Sequence, residues 1–314
     1  MSGPVGLDGL PVIGPAVITL GVFDGVHLGH RAIAAATADA AAERGAASVA
    51  IVFTPHPDEV LRPGTVVPRL APRDVTLDRL HGTDIDHAVE VRFDDDLRSM
   101  EPEAFLAALA PAIELRGITM ATGSAFGRRR AGSIERVTEI GREAGFDTIE
   151  VPPVVLGGEP VSSSRIRTAL GAGDVRAASA LLSSAPLLRG VVIHGDRRGH
   201  QLGFPTANLA FDYVPAMPAL GIYLGRVSVP ERNVGPLHPA LVSVGVRPTF
   251  HVDGQVLVEV YLLDWDGDLY DAVLSVELHA HLREERRFES VETLVDQMRA
   301  DEAEARRLIA ADGG

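Results

Sequence analysis

The stretch that decides the fold of the first half of this chain is Ile18-Thr-Leu-Gly-Val-Phe-Asp-Gly-Val-His-Leu-Gly-His30. Its apolar start predicts a buried strand over Ala16–Val22, and the glycines that follow predict a tight turn. A helix is predicted from Leu28 to Arg44, directly after the turn. Because a strand, a turn and a helix in this order open a βαβ unit, we expect a parallel sheet with helices on its faces.

The same alternation of strands and helices continues to about residue 170. The predicted strands are continuous apolar runs, as expected where both faces of a parallel sheet are buried. This half is therefore predicted to be a doubly wound, Rossmann-like α/β domain. Its other predicted strands are Ser48–Phe53, His87–Phe93, Gly117–Gly123 and Thr148–Val155, and its other predicted helices are Pro102–Ala112 and Ser133–Ala144, with Ser133 as an N-cap.

From about Gly190 the pattern changes to short strands with no helix-length gaps between them. Val258, Val260 and Leu262 alternate with other residues and are expected to share one face of their strand. This pattern is typical of a compact antiparallel β-barrel, followed here by one terminal helix. The predicted strands are Gly190–His194, Leu220–Val229, Ala240–Val244, Val256–Leu263 and Val273–Leu282, and the helix is Ser290–Ala310, with Ser290 as its N-cap.

Length and composition limit the classes of function. A chain of 314 residues suggests two domains, and we place the boundary after a short helix and connector, giving 1–183 and 184–314. The net charge of −14 argues against binding to nucleic acid or to an anionic membrane, and no signal peptide or membrane helix is expected, so a cytoplasmic location is predicted. The sequence contains no Cys and no Lys, which excludes thiolate chemistry and the Lys-bearing phosphate loop.

Two constellations in the first half predict phosphate binding. His27 and His30 follow the glycine turn at a helix start, where free N–H groups and the helix dipole attract anions. Two surface histidines beside a structural turn are the alternative. Ser162-Ser-Ser-Arg-Ile-Arg167 places hydroxyls before a helix with two arginines, which indicates a second phosphate cradle or an ordinary N-cap. Phe53-Thr-Pro-His-Pro57 places His56 near the same rim, where a purely structural turn is an equal interpretation.

The second half carries a glycine-containing loop and an unusual strand carboxylate. Gly195, Gly199 and Gly203 permit close approach of the backbone to phosphates, and Thr206 and Asn208 offer the oxygen ligands that Mg²⁺ prefers. Glu259 interrupts an apolar strand. It is either a solvent-facing carboxylate or, if it points into the barrel mouth, a general base for an alcohol.

Several strings together resemble the prokaryotic bifunctional riboflavin kinase/FMN adenylyltransferase family. They are His27-Leu-Gly-His30, Phe53-Thr-Pro-His-Pro57, Ser162-Ser-Ser-Arg-Ile-Arg167, Gly203-Phe-Pro-Thr-Ala-Asn208 and Val258-Glu-Val-Tyr-Leu262. The resemblance implies a nucleotidyltransferase-like domain followed by a riboflavin kinase-like barrel. It also implies ATP as co-substrate, FMN and FAD as products, and Mg²⁺.

The resemblance also implies roles for particular residues. Glu259, His27 and His30 are the catalytic residues, Thr206 and Asn208 bind the metal, and Phe126 and Arg283 contact the flavin. The residues implied in binding ATP or its phosphates are Gly21, Phe23, Asp24, Gly25, Gly29, Ser163, Ser164, Arg167, Gly195, Gly203, Thr206 and Asn208.

The sequence departs from the family pattern mainly in Gly123–Gly132. This segment is two residues short in our alignment, retains one aromatic residue, Phe126, and carries three consecutive arginines. Smaller departures are His200 and Asp271. A flavin kinase with impaired adenylyl transfer, or a relative that acts on a modified flavin or another nucleotide, is therefore one alternative. A non-enzymatic flavin- or nucleotide-binding protein is the other.

Overall fold

The computed structural model describes residues 3–195, 203–232, 234–246 and 256–312. Its internal contacts divide the chain into two units, one formed by residues 1–67 and 73–163 and the other by residues 68–72 and 164–314. The two helices that follow Ser162 thus belong mostly to the second unit, whereas the sequence grouped them with the first. The limits of the functional domains stay a prediction.

The first unit is built on a five-stranded parallel sheet. Strand order is β3-β2-β1-β4-β7, so the chain fills one side of β1 first and then crosses to the other. The doubly wound prediction is confirmed. The strands are β1 Gly14–Gly21, β2 Ala47–Thr54, β3 His87–Arg92, β4 Ile113–Ala121 and β7 Asp147–Val151, with short pairs β5 Ala125–Phe126 and β6 Gly132–Ser133, and β8 Val155–Leu156 and β9 Glu159–Pro160.

Six helices accompany this sheet in the described part of the first unit. Helix α1 lies on β1, β2 and β4, and its buried Thr37 meets Thr119 of β4 through their hydroxyl oxygens at 2.5 Å. Ser133 caps α6 as predicted, because its Oγ accepts the N–H of Arg136. The helices are α1 Leu28–Glu43, α2 Pro57–Leu61, α3 Arg73–His81, α4 Asp95–Ser99, α5 Pro102–Leu109 and α6 Ile134–Ala144.

Some boundaries differ from the predictions. Strand β4 begins at Ile113 rather than at the predicted Gly117. Glu114 and Arg116 interrupt the apolar run, so the sequence pattern predicted a start after them. Strand β7 ends at Val151, and Val155 instead opens a separate two-residue hairpin. Helices α2, α3 and α4 were missed. They are short or rich in charged residues, so they lack a clear apolar stripe.

The second unit contains helices α7 and α8, a closed six-stranded barrel and a terminal helix α9. The barrel order is β10-β11-β14-β13-β12-β15, and its neighbouring pairs are antiparallel, as predicted. Strand β11 was not predicted, because it has only four residues and directly follows a turn. The elements are α7 Ser163–Gly171, α8 Val175–Leu182, β10 Leu187–Ile193, β11 Ala207–Ala210, β12 Gly221–Val229, β13 Val234–Val246, β14 Val256–Leu262, β15 Val273–Glu284 and α9 Val291–Asp312.

The barrel interior is filled by side chains from alternate strand positions. Val258, Val260 and Leu262 are buried, which confirms that they share one face. Helix α9 begins after Ser290, whose Oγ accepts the N–H of Thr293 as an N-cap. This helix packs against the outside of the barrel through a second apolar cluster, formed by Leu224, Leu241, Leu263, Ala280 and Ala305.

Candidate functional site

The turn after β1 places the predicted phosphate residues at the carboxyl edge of the sheet. This is the point at which the strand order reverses, between β1 and β4, where doubly wound sheets bind ligands. The backbone is left-handed at Phe23, Gly25 and Val26, with φ of 55°, 75° and 49°. Such a φ costs energy at a β-branched residue such as Val26, and strain of this kind is typical of functional turns.

An arginine from a distant part of the chain supports this turn. Arg79 of α3 donates a hydrogen bond from Nη1 to the carbonyl oxygen of Gly25, at 3.0 Å. The side chain of Asp24 is buried in the same turn. Arg79 was not predicted from the sequence, because no local pattern links α3 to a turn more than fifty residues earlier. Its contact fixes the direction of the Gly25 carbonyl and thus the shape of the loop.

His27 and His30 form a stacked pair at the start of α1. Their ring centroids are 3.6 Å apart and the ring planes are inclined by 16°. His27 is the N-cap of the helix, and its Nδ1 accepts the backbone N–H of His30 at 3.3 Å. In a neutral His27 the proton is therefore on Nε2. Gly29 leaves room for this ring, since a Cβ there would lie 3.1 Å from His27 Cε1.

The surroundings of His30 determine its charge. Burial, and then the neighbouring His27, lower the pKa of His30 well below its usual value of 6.5. Its ring also packs against Phe23, with centroids 5.2 Å apart. The imidazole is therefore neutral at pH 7 in the free protein. A bound anion would favour the protonated form and raise this pKa.

The shortened segment Gly123–Gly132 follows β4 at the same edge of the sheet. Phe126 packs against the core residue Phe105, with ring centroids 5.3 Å apart. Arg128 forms an ion pair with Glu101, and Arg130 donates to the carbonyl oxygen of Gly123. Two of the three arginines thus hold the loop itself.

The Ser-Arg motif lies at the start of α7. Ser163 closes the first unit and Ser164 opens the second. Arg167 donates from Nε to the carbonyl oxygen of Pro68 at 2.7 Å. The association of this motif with the histidine pair stays a prediction. His56 caps α2 by accepting the N–H of Asp58, so the structural interpretation of that turn has direct support.

The barrel unit contains a cavity of about 800 Å³, within the size range of small-molecule sites. Glu259 of β14 lies directly between Asn208 of β11 and Ser243 of β13 in the strand ladder. Residues opposite one another in antiparallel strands project on the same face, so these polar groups converge. Thr206 lines the same cavity.

The sequence left two positions open for Glu259, a solvent-facing one and one in the barrel mouth. Its neighbours Val258 and Val260 fill the barrel interior, and successive strand residues point to opposite faces. Glu259 therefore lies on the outer face of the barrel wall, where it is half-buried in the cavity. The placement still suits a general base, because the carboxylate is sheltered but reachable by a ligand.

The predicted glycines of this site have two different structural reasons. A Cβ at Gly195 would lie 2.3 Å from Nδ2 of Asn208, so only glycine lets that amide occupy its place. Gly203 instead has a left-handed backbone, with φ of 83°. Gly199 and His200 lie outside the described residues.

The donor set suits Mg²⁺ held jointly with a nucleotide. Among the described residues, no group of three or more His, Cys, Asp or Glu side chains could hold a metal ion by itself. Thr206, Asn208 and Glu259 nevertheless offer hydroxyl, amide and carboxylate oxygens to one cavity. Mg²⁺ is usually bound by few protein oxygens together with substrate phosphates, so these residues fit it.

Arg283, a predicted flavin contact, is engaged by the protein itself. It donates from Nε and Nη2 to the carboxylate of Asp301 on α9, at 2.7–3.0 Å, and both side chains are nearly buried. The guanidinium also lies 5.8 Å from the ring centroid of Phe288. All three residues line the cavity. The pair therefore ties the terminal helix to the cavity wall.

Trp265 and Tyr270, which were not predicted as site residues, line this cavity from the loop between β14 and β15. A Cβ at Gly267 would lie 2.6 Å from the Trp265 ring, so the glycine makes room for it. Trp265 is the one tryptophan of the sequence, which is the signal that could have drawn attention to it.

The turn at the point where the strand order reverses and the oxygen-lined cavity on the barrel are separate sites, and both suit a phosphate-bearing ligand, so the geometry indicates a two-site nucleotide-binding protein. Residues 12–165 match the family model for FAD synthetase, and residues 182–309 match that for riboflavin kinase.

Relatives match nearly the whole chain. The bifunctional riboflavin kinase/FMN adenylyltransferase of Pseudomonas fluorescens is 37% identical over 94% of this chain and 93% of its own length. The protein of the same name from Bacillus subtilis is 30% identical over 94% and 92%. A crystal structure described as a macrolide-efflux protein from Streptococcus pneumoniae has a TM-score of 0.87 and 28% identity, covering 96% of this chain and 98% of that one.

The chain belongs to the family of bifunctional riboflavin kinase/FMN adenylyltransferases. Throughout the described ranges, no helix combines the length and the apolar character needed to cross a membrane.

Proposed function

We propose that this protein phosphorylates riboflavin to FMN with ATP and then adenylylates FMN to FAD with release of pyrophosphate. The observation that carries the proposal is that each family model falls on a region with its own polar site. We assign adenylyl transfer to residues 1–183 and phosphorylation to residues 184–314. We further propose a cytoplasmic location, because both reactions consume ATP.

In the kinase half, Glu259 accepts the proton of the ribityl 5′-hydroxyl while that oxygen attacks the γ-phosphorus of ATP, and ADP leaves. The ladder position of Glu259 opposite Asn208 supports this role. Thr206 and Asn208 would hold Mg²⁺ with the nucleotide phosphates, and the ion would supply charge neutralisation there. We assign Gly195 and Gly203 to the nucleotide phosphates as well.

In the adenylyltransferase half, a phosphate oxygen of FMN attacks the α-phosphorus of ATP, and pyrophosphate leaves. No base is needed, because the attacking phosphate is already ionised. His27 and His30 would stabilise the charge that develops on the transferred group. Gly21, Phe23, Asp24, Gly25 and Gly29 lie in or beside the turn that presents them. We assign Ser163, Ser164 and Arg167 to the phosphates as well.

A second candidate function is favoured by the altered segment after β4. Phe126, proposed to contact the flavin ring, is partly engaged by Phe105, and the segment has no second aromatic residue. A protein that is mainly a flavin kinase, with weak adenylyl transfer, would fit this observation. Arg283 remains our proposed flavin contact in the kinase half, acting from its fixed position beside Asp301.

Product analysis after incubation with riboflavin, ATP and Mg²⁺ tests the proposal. FAD supports the bifunctional activity, FMN alone supports the second candidate, and the absence of both supports a binding protein. Two variants in the same chain provide reciprocal controls. Glu259→Gln is expected to convert supplied FMN to FAD but not riboflavin to FMN, whereas His30→Ala is expected to accumulate FMN.

A further inference from the structure

Two adjacent side chains at the start of α1 carry nitrogen atoms that are closed to solvent and lack a hydrogen-bond partner in the structure. They are Nδ1 of His30 and Nε of Arg31. A buried donor without a partner costs about 1–3 kcal/mol, and more when it is charged. Most buried polar groups avoid this cost, so two such atoms in neighbouring residues require an explanation.

Arg31 differs from the other arginines of the first unit. No described residue forms a hydrogen bond or an ion pair with its guanidinium, although the side chain is half-buried. Others are paired with carboxylates, as Arg44 is with Asp147. Arg62, Arg129 and Arg142 also lack a described partner, but all three are exposed. Among the described arginines of the first unit, Arg31 therefore stands out as half-buried without a partner, which indicates a ligand contact.

The negative charge of the nucleotide substrate identifies a suitable ligand for Arg31. A nucleoside triphosphate carries up to four negative charges, and the chain has no Lys to meet them. A guanidinium remains protonated at every physiological pH and binds phosphate oxygens in two parallel hydrogen bonds. Arg31 lies in the first turn of the 16-residue helix α1, directly after the histidine pair. The dipole of the helix adds to its attraction for an anion.

We propose that Arg31 binds the triphosphate of the nucleotide in the adenylyltransferase site and then the pyrophosphate that is released. This inference rests on the proposed adenylyl transfer and adds a substrate contact to it.

The reverse reaction tests the proposal without interference from the kinase. FAD and pyrophosphate give FMN and ATP, and pyrophosphate is not a substrate of riboflavin phosphorylation. In Arg31→Gln we expect the KM for pyrophosphate, and that for ATP in FAD synthesis, to rise about 10- to 100-fold, as for loss of a charged hydrogen bond. The KM for FMN should change by less than about threefold. Arg142→Gln is the matched control and should resemble the wild type, and an unchanged pyrophosphate KM in Arg31→Gln overturns the proposal.

Stability separates a ligand contact from a structural role. Arg31→Met removes an unpaired, half-buried charge and keeps a similar volume, so the ligand-free variant is expected to melt at the same or a higher temperature. A structural role for Arg31 predicts a lower melting temperature instead. Such a loss, together with unchanged kinetics, would contradict our inference.

Hydrogen exchange keeps the test independent of catalysis. Inorganic triphosphate is expected to slow amide exchange in residues 23–33 of the wild type and of Arg142→Gln, but much less in Arg31→Gln. If the wild type makes no FAD, the proposed function fails, yet this exchange pattern still supports Arg31 as an anion contact. Equal protection in all three proteins, or none in the wild type, overturns it.

Discussion

Asp301→Ala is expected to destabilise the barrel unit strongly. The carboxylate receives two charged donors of Arg283 and the amide of Gln297, and both ion-pair side chains are nearly buried. Removal of one member of a buried pair leaves the other charge uncompensated and costs about 3–5 kcal/mol. With a urea m-value of about 1–3 kcal/mol/M, the unfolding midpoint should fall by roughly 2 M.

Urea unfolding followed by tryptophan fluorescence measures this effect in the correct unit, because Trp265 is the one tryptophan and lies in the barrel half. Asp296→Ala is the matched control on the same helix. Its ion pair with Arg299 is well exposed, and such pairs contribute at most about 1 kcal/mol. A shift for Asp301→Ala no larger than that of the control would refute the reasoning.

The double variant Arg283→Met with Asp301→Leu distinguishes charge from packing. Replacement of both partners by apolar residues is often neutral or stabilising, so the double variant should be more stable than Asp301→Ala. If it is equally unstable, lost packing rather than an unpaired charge explains the result. Riboflavin phosphorylation by the double variant then measures whether the guanidinium also contacts the flavin.

Three further predictions concern the two sites. Glu259→Gln should lower FMN formation by about 10²-fold or more, a common contribution of a general base, while FAD formation from supplied FMN persists. Near-normal phosphorylation would remove this residue from the mechanism. Gly29→Ala should push the His27 ring, which a Cβ would approach at 3.1 Å, and raise the ATP KM of adenylyl transfer alone; an unchanged KM would show that the pair adapts. Because the pKa of His30 is lowered in the folded protein, the unfolded chain protonates this imidazole at a higher pH than the folded protein does. The stability of the α/β unit should therefore fall as pH drops below about 6.5, by at most about 1.4 kcal/mol per pH unit. Urea unfolding followed by circular dichroism at pH 7.5 and 5.5 should show a smaller loss in His30→Gln than in the wild type, and equal losses would contradict the assignment.

Local sequence patterns determined the two kinds of architecture. Continuous apolar runs alternating with helices specify a parallel sheet, and closely spaced short strands specify an antiparallel barrel. Capping residues such as Ser133 and Ser290 act within three residues, so they were also readable. The turn that carries His27 and His30 could be predicted for the same reason, since its glycines and imidazoles are close together in the chain.

Contacts between distant segments could not be read in this way. Nothing local joins Arg79 to Gly25 or Arg283 to Asp301, because such pairs form only when separate elements pack together. Likewise, the alternation of residues along β14 placed Glu259 on the other face from Val258 and Val260. It could not show that this face lines a cavity.

The sequence by itself therefore determined the order of elements, the glycine turns and the residue types available for chemistry, because these depend on neighbours along the chain. Only the tertiary structure decided how those groups are charged and held. Burial in the folded α/β unit lowers the pKa of His30, and packing of helix α9 fixes Arg283. Desolvation and long-range ion pairs arise from burial between segments, so they exist only in the folded chain.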